Sequence, residues 1–135
     1  MPKFLAIDDD EVFRKYLATL LSRTGYEVRS LPNDSLAAAV IESEHVDAVI
    51  SDLYMPNVDD LEILSYVKRR HPGIPVIGIS ISGESLGPSD PCSRAMTELG
   101  ADAVLSKPLD DASLLAIVRG SIDNRRPATA PRPNL

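Results

Sequence analysis

Two periodicities take turns along this chain. Short apolar runs read as buried strands, and longer stretches with apolar residues three and four apart read as amphipathic helices. Lys3–Ile7 is an apolar run that ends in acid, as a strand would. Asp10 then caps a helix, with Glu11 in its first turn. Val12, Phe13, Tyr16, Leu17, Leu20 and Leu21 recur on one face of that helix, and Gly25 stands where a C′ glycine ends it. Tyr26–Leu31 alternates as a second strand. Asn33 and Asp34 cap a helix from Ser35 to about Ser43. Ala48–Ser51 is a third strand ending at Asp52. Leu61, Ile63, Leu64 and Val67 mark a third helix, with Lys68, Arg69 and Arg70 at the end that favours cations. Pro75–Ile79 is a fourth strand. Asp90 and Pro91 read as N-cap and first residue of a fourth helix stopping at Gly100. Ala103–Leu105 is a fifth strand, and Asp110–Ile122 a fifth helix.

Strand ends fall near residues 8, 31, 52, 80 and 106, a spacing that fits successive βαβ units. Such alternation predicts a doubly wound α/β fold: a five-stranded parallel sheet with five helices on its two faces. The expected strand order is the flavodoxin-like 2-1-3-4-5, one common solution for right-handed crossovers. No sequence repeat stands out beyond the alternation.

Composition narrows the function. The 135 residues suit one domain. A single cysteine, Cys92, excludes a disulfide framework and a cysteine zinc cluster, and two histidines, His45 and His71, argue against a histidine metal site. The apolar runs are far shorter than the ~20 residues that span a bilayer, and no signal-peptide core opens the chain. The expected location is the cytoplasm, with no membrane partner. A net charge of −6 with 4% aromatic residues is unsuited to nucleic acid. Residues 124–135 hold three arginines and three prolines without apolar periodicity, so they read as a disordered tail after a folded unit of residues 1–123.

The polar residues at strand ends carry the chemistry. Open parallel sheets bind ligands beyond the carboxyl ends of their strands. Asp8, Asp9 and Asp10 end the first strand, Asp52 the third, Ser80 the fourth and Lys107 the fifth. Two carboxylates 4 Å apart repel by about 4 kcal/mol at an effective dielectric of 20, so such a cluster calls for a counter-charge. A hard divalent cation supplies it, and Mg2+ suits carboxylates, waters and a substrate phosphate. Lys107 can pair with Asp52 and then with a phosphoryl oxygen, to which Ser80 can donate a hydrogen bond. This set allows phosphoryl transfer onto a carboxylate.

Four segments together resemble the receiver domain of two-component response regulators. They are Ile7-Asp8-Asp9-Asp10-Glu11, Ser51-Asp52-Leu53-Tyr54-Met55-Pro56, Ile74–Ser80 and Ala101–Pro108. The resemblance covers about residues 3–122. It implies that Asp52 is the phosphoacceptor, that Asp9 holds Mg2+ directly and Asp8 mainly through water, and that the Tyr54 carbonyl completes the metal site. It further implies that Ser80 switches towards the phosphoryl group, that Lys107 anchors it, and that the Lys107–Pro108 bond is cis. The expected phosphodonor is a histidine kinase or histidine phosphotransferase, docking near Arg14 and Lys15. The expected output is a contact with a target protein. The chain stops soon after the fifth helix, so the expectation is a single-domain regulator.

Several positions depart from the family pattern. Val104 replaces the usual aromatic residue three before the lysine, which removes the aromatic part of the relay from the switch hydroxyl to the face of the fourth helix, fifth strand and fifth helix. Ile81 replaces a small residue and narrows access to Asp52, and Tyr54 shields the same place. Asp60 stands where a glycine is common. Ser82–Asp90 lengthens the connection after the fourth strand by about five residues.

A receiver-like binding module that works without phosphorylation is the alternative, supported by Val104, Ile81 and the long loop and opposed by the intact acidic set. A flavin-binding flavodoxin is excluded, because three aspartates after the first strand repel a phosphate. A haloacid-dehalogenase-type phosphatase matches the spacing of Asp8 and Asp10 but leaves the Asp52 motif unused. Cys92 reads as incidental, His45 and His71 as surface residues, and Lys68–Arg70 as a solvated helix end.

Overall fold

A parallel five-stranded sheet forms the middle layer of the molecule. The computed structural model describes residues 2–33, 35–52, 62–81, 97–98, 100–107 and 110–124, with the backbone alone for residues 62, 80, 81, 106, 107 and 124. Its elements are β1 (Lys3–Ile7), α1 (Glu11–Arg23), β2 (Glu27–Leu31), α2 (Ala37–Ser43), β3 (Ala48–Asp52), α3 (Glu62–Arg70), β4 (Val76–Ile81), β5 (Ala103–Lys107) and α4 (Asp111–Asn124). The strand order is β2-β1-β3-β4-β5, every pair parallel, which is the 2-1-3-4-5 order expected from the sequence.

Strand alternation divides the core in two. Phe4, Ala6, Ala48, Ile50, Ile77 and Ile79 pack with Leu17 and Leu21 of α1 and Leu114 and Val118 of α4. Leu5, Ile7, Val49 and Val76 pack with Val40 and Ile41 of α2 and Leu64 and Val67 of α3. The inner strands β1 and β3 are buried on both faces and read as continuous apolar runs. Edge strand β2 is exposed at Glu27, Arg29 and Ser30.

The expectation of five helices is corrected: the described residues form four. The helix expected from Asp90 to Gly100 falls outside them except for the helical residues Thr97 and Glu98 and for Gly100. That expectation rests on end signals, Asp90-Pro91 and Gly100. Most helical stability in a protein comes from a packed amphipathic face, so end signals alone do not establish a helix.

Ends elsewhere follow local chemistry. The Asp10 carboxylate accepts from the amides of Val12 (3.0 Å) and Phe13 (3.4 Å), capping α1 as expected. At the other end the Tyr26 amide reaches the Leu21 carbonyl and the Gly25 amide the Ser22 carbonyl, both at 3.1 Å. This Schellman closure requires the positive φ of +92° that Gly25 supplies. Val12 is 76% exposed and so leaves the inner face on which helical spacing put it. Helix α2 begins at Ala37, later than expected, because Asn33 spends its side chain on a local turn to the Ser35 amide (3.0 Å).

The starts of β3 and β5 share one device. The Asp47 amide donates to the Lys3 carbonyl (2.8 Å) while its carboxylate accepts from the Lys3 amide (2.7 Å). The Asp102 amide donates to the Val76 carbonyl (2.8 Å) while its carboxylate accepts from the Val76 amide (2.8 Å). Each aspartate thus grips the first residue of the neighbouring strand twice. The sequences match as well: Asp47-Ala48-Val49-Ile50-Ser51-Asp52 beside Asp102-Ala103-Val104-Leu105-Ser106-Lys107. This short repeat escapes a reading that looks only for long periods.

Candidate functional site

The carboxyl ends of the strands meet where the sequence places its acids. Ile7 pairs with Ser51, so Asp8, the next residue, stands beside Asp52 at the end of β3. The Asp8 amide donates to the Leu31 carbonyl (3.1 Å), continuing the β1–β2 ladder one residue past β1. Asp8 and Asp52 are 2% and 4% exposed, whereas Asp9 faces solvent. Carboxylate oxygens of Asp8, Asp9 and Asp52 all lie within 4.8 Å of one another. At 4.8 Å two unit charges repel by about 3.5 kcal/mol at an effective dielectric of 20. Burying two of them enlarges the cost, because desolvation disfavours charge. A group of oxygen donors this close, open on the Asp9 side, fits a hard divalent cation that keeps several waters.

The loop that carries Asp8 and Asp9 is braced from within. Asp8 Oδ1 accepts from the Asp10 amide (2.8 Å), and the Asp8 carbonyl accepts from Arg14 Nη1 (2.7 Å). Asp10 is accordingly the helix cap and stands outside the carboxylate group.

Of the other expected site residues, Ser80 and Lys107 lie at the same edge by backbone register. Ser80 pairs with Ser106 and Ile81 with Lys107 at the ends of β4 and β5. Tyr54, Asp60, the 82–90 loop, Cys92, Pro108 and the tail from residue 125 lie outside the described residues. Val104 is half-buried against the core that also holds Ile74 and Tyr66.

Beside the site, α1 and α4 are joined by the Tyr16 hydroxyl, which donates to Asp111. Burial, reinforced by Asp111, pushes the Tyr16 hydroxyl up to about 12. Asp110 accepts from the Ser113 hydroxyl (2.6 Å) and amide (3.1 Å), which holds its carboxyl below the usual range.

Two surface readings change. His45 is exposed and meets Asp47 at 3.0 Å, but His71 is half-buried and meets Glu42 at 2.9 Å. Glu42 also accepts from the Tyr66 hydroxyl, and these bonds, Tyr66 first, lower its carboxyl. Lys68 is not a solvated helix end: it runs across Gly100 to reach Asp102 at 2.6 Å. Arg14, at the start of α1 where a phosphodonor is expected to dock, is half-buried and donates to the Asp8 carbonyl. Helical spacing marks which face a residue is on, but a long side chain can still curl back along the axis.

Among the described residues, no helix is long and apolar enough to cross a membrane. Residues 4–119 match the family described as the response regulator receiver domain. Among curated proteins, the chain is 32% identical over 128 residues to the transcriptional regulatory protein GlrR of Escherichia coli, covering 95% of this chain and 28% of that one. It is 34% identical over 114 residues to the DNA-binding transcriptional regulator NtrC of a Bradyrhizobium species, covering 84% of this chain and 23% of the other. The chain therefore spans only about a quarter of the length of these relatives. Among solved structures, a CheY-like response regulator receiver domain protein from Methanospirillum hungatei superposes with a TM-score of 0.79 at 26% identity, covering 91% of this chain and 94% of that one. Full-length FixJ from B. japonicum superposes with a TM-score of 0.80 at 27% identity, covering 94% and 60%. With its strand order, its three gathered carboxylates and a match over residues 4–119, the chain belongs to the response regulator receiver family of two-component signalling, whose domains accept a phosphoryl group on an aspartate and signal through protein contacts rather than turning over a separate substrate.

Proposed function

We propose that Asp52 is the phosphoacceptor and that Asp8, Asp9, Asp52 and the Tyr54 carbonyl hold Mg2+. The observation that carries this reading is the approach of three carboxylates within 4.8 Å at the end of β3, with Asp52 buried among them. Bound there, Mg2+ offsets charge on the equatorial phosphoryl oxygens. A carboxylate oxygen of Asp52 attacks the phosphorus of a phosphohistidine, the P–N bond breaks, and the imidazole nitrogen leaves with the electron pair and takes up a proton. Lys107 pairs with the new phosphoryl group, and Ser80 donates a hydrogen bond to it. The donor is a histidine kinase or a histidine phosphotransferase in the cytoplasm. The output is binding of a target protein by residues 1–123, with 124–135 as a tail.

Intact-protein mass spectrometry after incubation with phosphoramidate or acetyl phosphate tests this. The expected result is a Mg2+-dependent gain of one phosphoryl group that is absent in Asp52→Asn. If phosphohistidine donors also fail, a binding module independent of phosphorylation replaces this reading.

A further inference from the structure

We propose that Arg14 is a positioning residue for the carboxylate site, acting through the main chain of Asp8; this rests on the metal-binding reading above. The Asp8 carbonyl lies past Ile7, the last residue of β1 paired with β2 (Leu31) and with β3 (Ser51). A buried carbonyl beyond its ladder needs another donor. Arg14 Nη1 supplies it at 2.7 Å across six residues, and Arg14 is half-buried in doing so. The Asp8 carbonyl belongs to the peptide plane that leads into Asp9. Fixing that oxygen fixes the plane, and with it the direction in which the Asp9 backbone departs. Asp8 Oδ1 holds the next amide but one, that of Asp10, at 2.8 Å. The two bonds together brace the turn from which two of the three close carboxylates project.

Charge alone predicts the opposite behaviour. A guanidinium near the site repels a divalent cation, so a purely electrostatic role means that removing it tightens Mg2+ binding. A positioning role means that removing it weakens Mg2+ binding, because the carboxylates lose their common geometry. The sign separates the two. Lys15 is the control: it is the next residue, it is 75% exposed, and it pairs with Glu11 at 3.4 Å.

The experiment is calorimetric Mg2+ titration of the full chain with Arg14→Gln, Arg14→Lys and Lys15→Gln, together with amide hydrogen exchange in EDTA. Arg14→Gln is expected to weaken Mg2+ binding about tenfold, as loss of a group orienting metal ligands does. Lys15→Gln is expected to leave it unchanged or slightly tighter. Arg14→Lys keeps the charge but gives up the planar fork and is expected to weaken binding in the same direction, which carries the test if Arg14→Gln does not fold. Without metal, the Asp10 amide is expected to exchange about fivefold faster in both Arg14 variants, the shift from losing an ordinary hydrogen bond. The amides of Leu5 and Ile50 report global stability and are expected to be unmoved. Wild-type or tighter Mg2+ binding in both Arg14 variants overturns the proposal. If the wild type binds no Mg2+, the metal reading fails, and exchange at Asp10 still decides whether Arg14 holds the turn.

Discussion

The two ends of the sheet use the same residue type in opposite ways. Where the strands begin, acids meet donors. Asp47 and Asp102 each grip a neighbouring strand, Lys68 joins Asp102, and Glu44 takes both Lys3 and Arg29. Where the strands finish, acids meet acids: Asp8, Asp9 and Asp52 lie within 4.8 Å of one another, two of them buried. One end spends its carboxylates on geometry. The other gathers like charges in a group that could hold a divalent cation.

The largest effect expected from this contrast is on metal addition. Mg2+ at 100 times its Kd is expected to stabilise the fold by about 2.7 kcal/mol, read as a rise in melting temperature over an EDTA sample. No rise breaks the comparison, since the far end then stores nothing that Mg2+ relieves. Next come the grips. Asp47→Ala and Asp102→Ala are each expected to cost about 2 kcal/mol in urea unfolding, because each leaves a strand-opening amide without its side-chain acceptor. The Lys68–Asp102 pair adds little to this, being partly exposed.

At the far end the sign reverses. In EDTA, Asp52→Asn is expected to stabilise the protein by about 1 kcal/mol by removing one like charge. A loss of stability instead means that Asp52 is held as firmly as Asp47.

The smallest effect is on pH. Glu44 is lowered by its hydrogen bond to Lys3, and Glu42 by those to Tyr66 and His71. A carboxyl lowered by folding adds stability above its ordinary value of 4.5, and that stability fades as pH falls through the folded value. Tyr16 runs the other way: raised from 10.0 to about 12, it adds stability below pH 10 that is lost between the two values. Unfolding followed by circular dichroism across both windows is expected to show a decline at each end. A flat acid limb would mean that the donors around Glu42 and Glu44 hold no tighter in the fold than in the unfolded chain.

The strands and the acids were legible in the sequence because both are local. Lys3–Ile7 and Ala48–Asp52 are apolar runs closed by charge, and a parallel sheet brings such closures to one edge. Val12 misled because helical spacing near a helix start says little about depth. The helix expected after Asp90 lies outside the described residues except at Thr97, Glu98 and Gly100. Asp47 and Asp102 went unseen as grips because their partners lie on other strands, 44 and 26 residues away. The reach of Arg14 back to Asp8 is not legible from spacing, because helical position does not say where a long side chain ends.

The matched segments beginning at Asp47 and Asp102 also set an offset. Each runs five residues from its grip to a charged terminus, Asp52 in one and Lys107 in the other. Ladder pairing places Asp52 level with Ile79 and Ile79 level with Leu105, so the backbone of Lys107 stands two residues farther out than that of Asp52. At about 3.3 Å per residue the stagger is about 6.6 Å. The sheet thus delivers its two opposite charges at different heights, with the backbone of the cation's residue outward of the acid. The height difference is written at the bottom of the strands, in which residue each aspartate grips, and read out at the top.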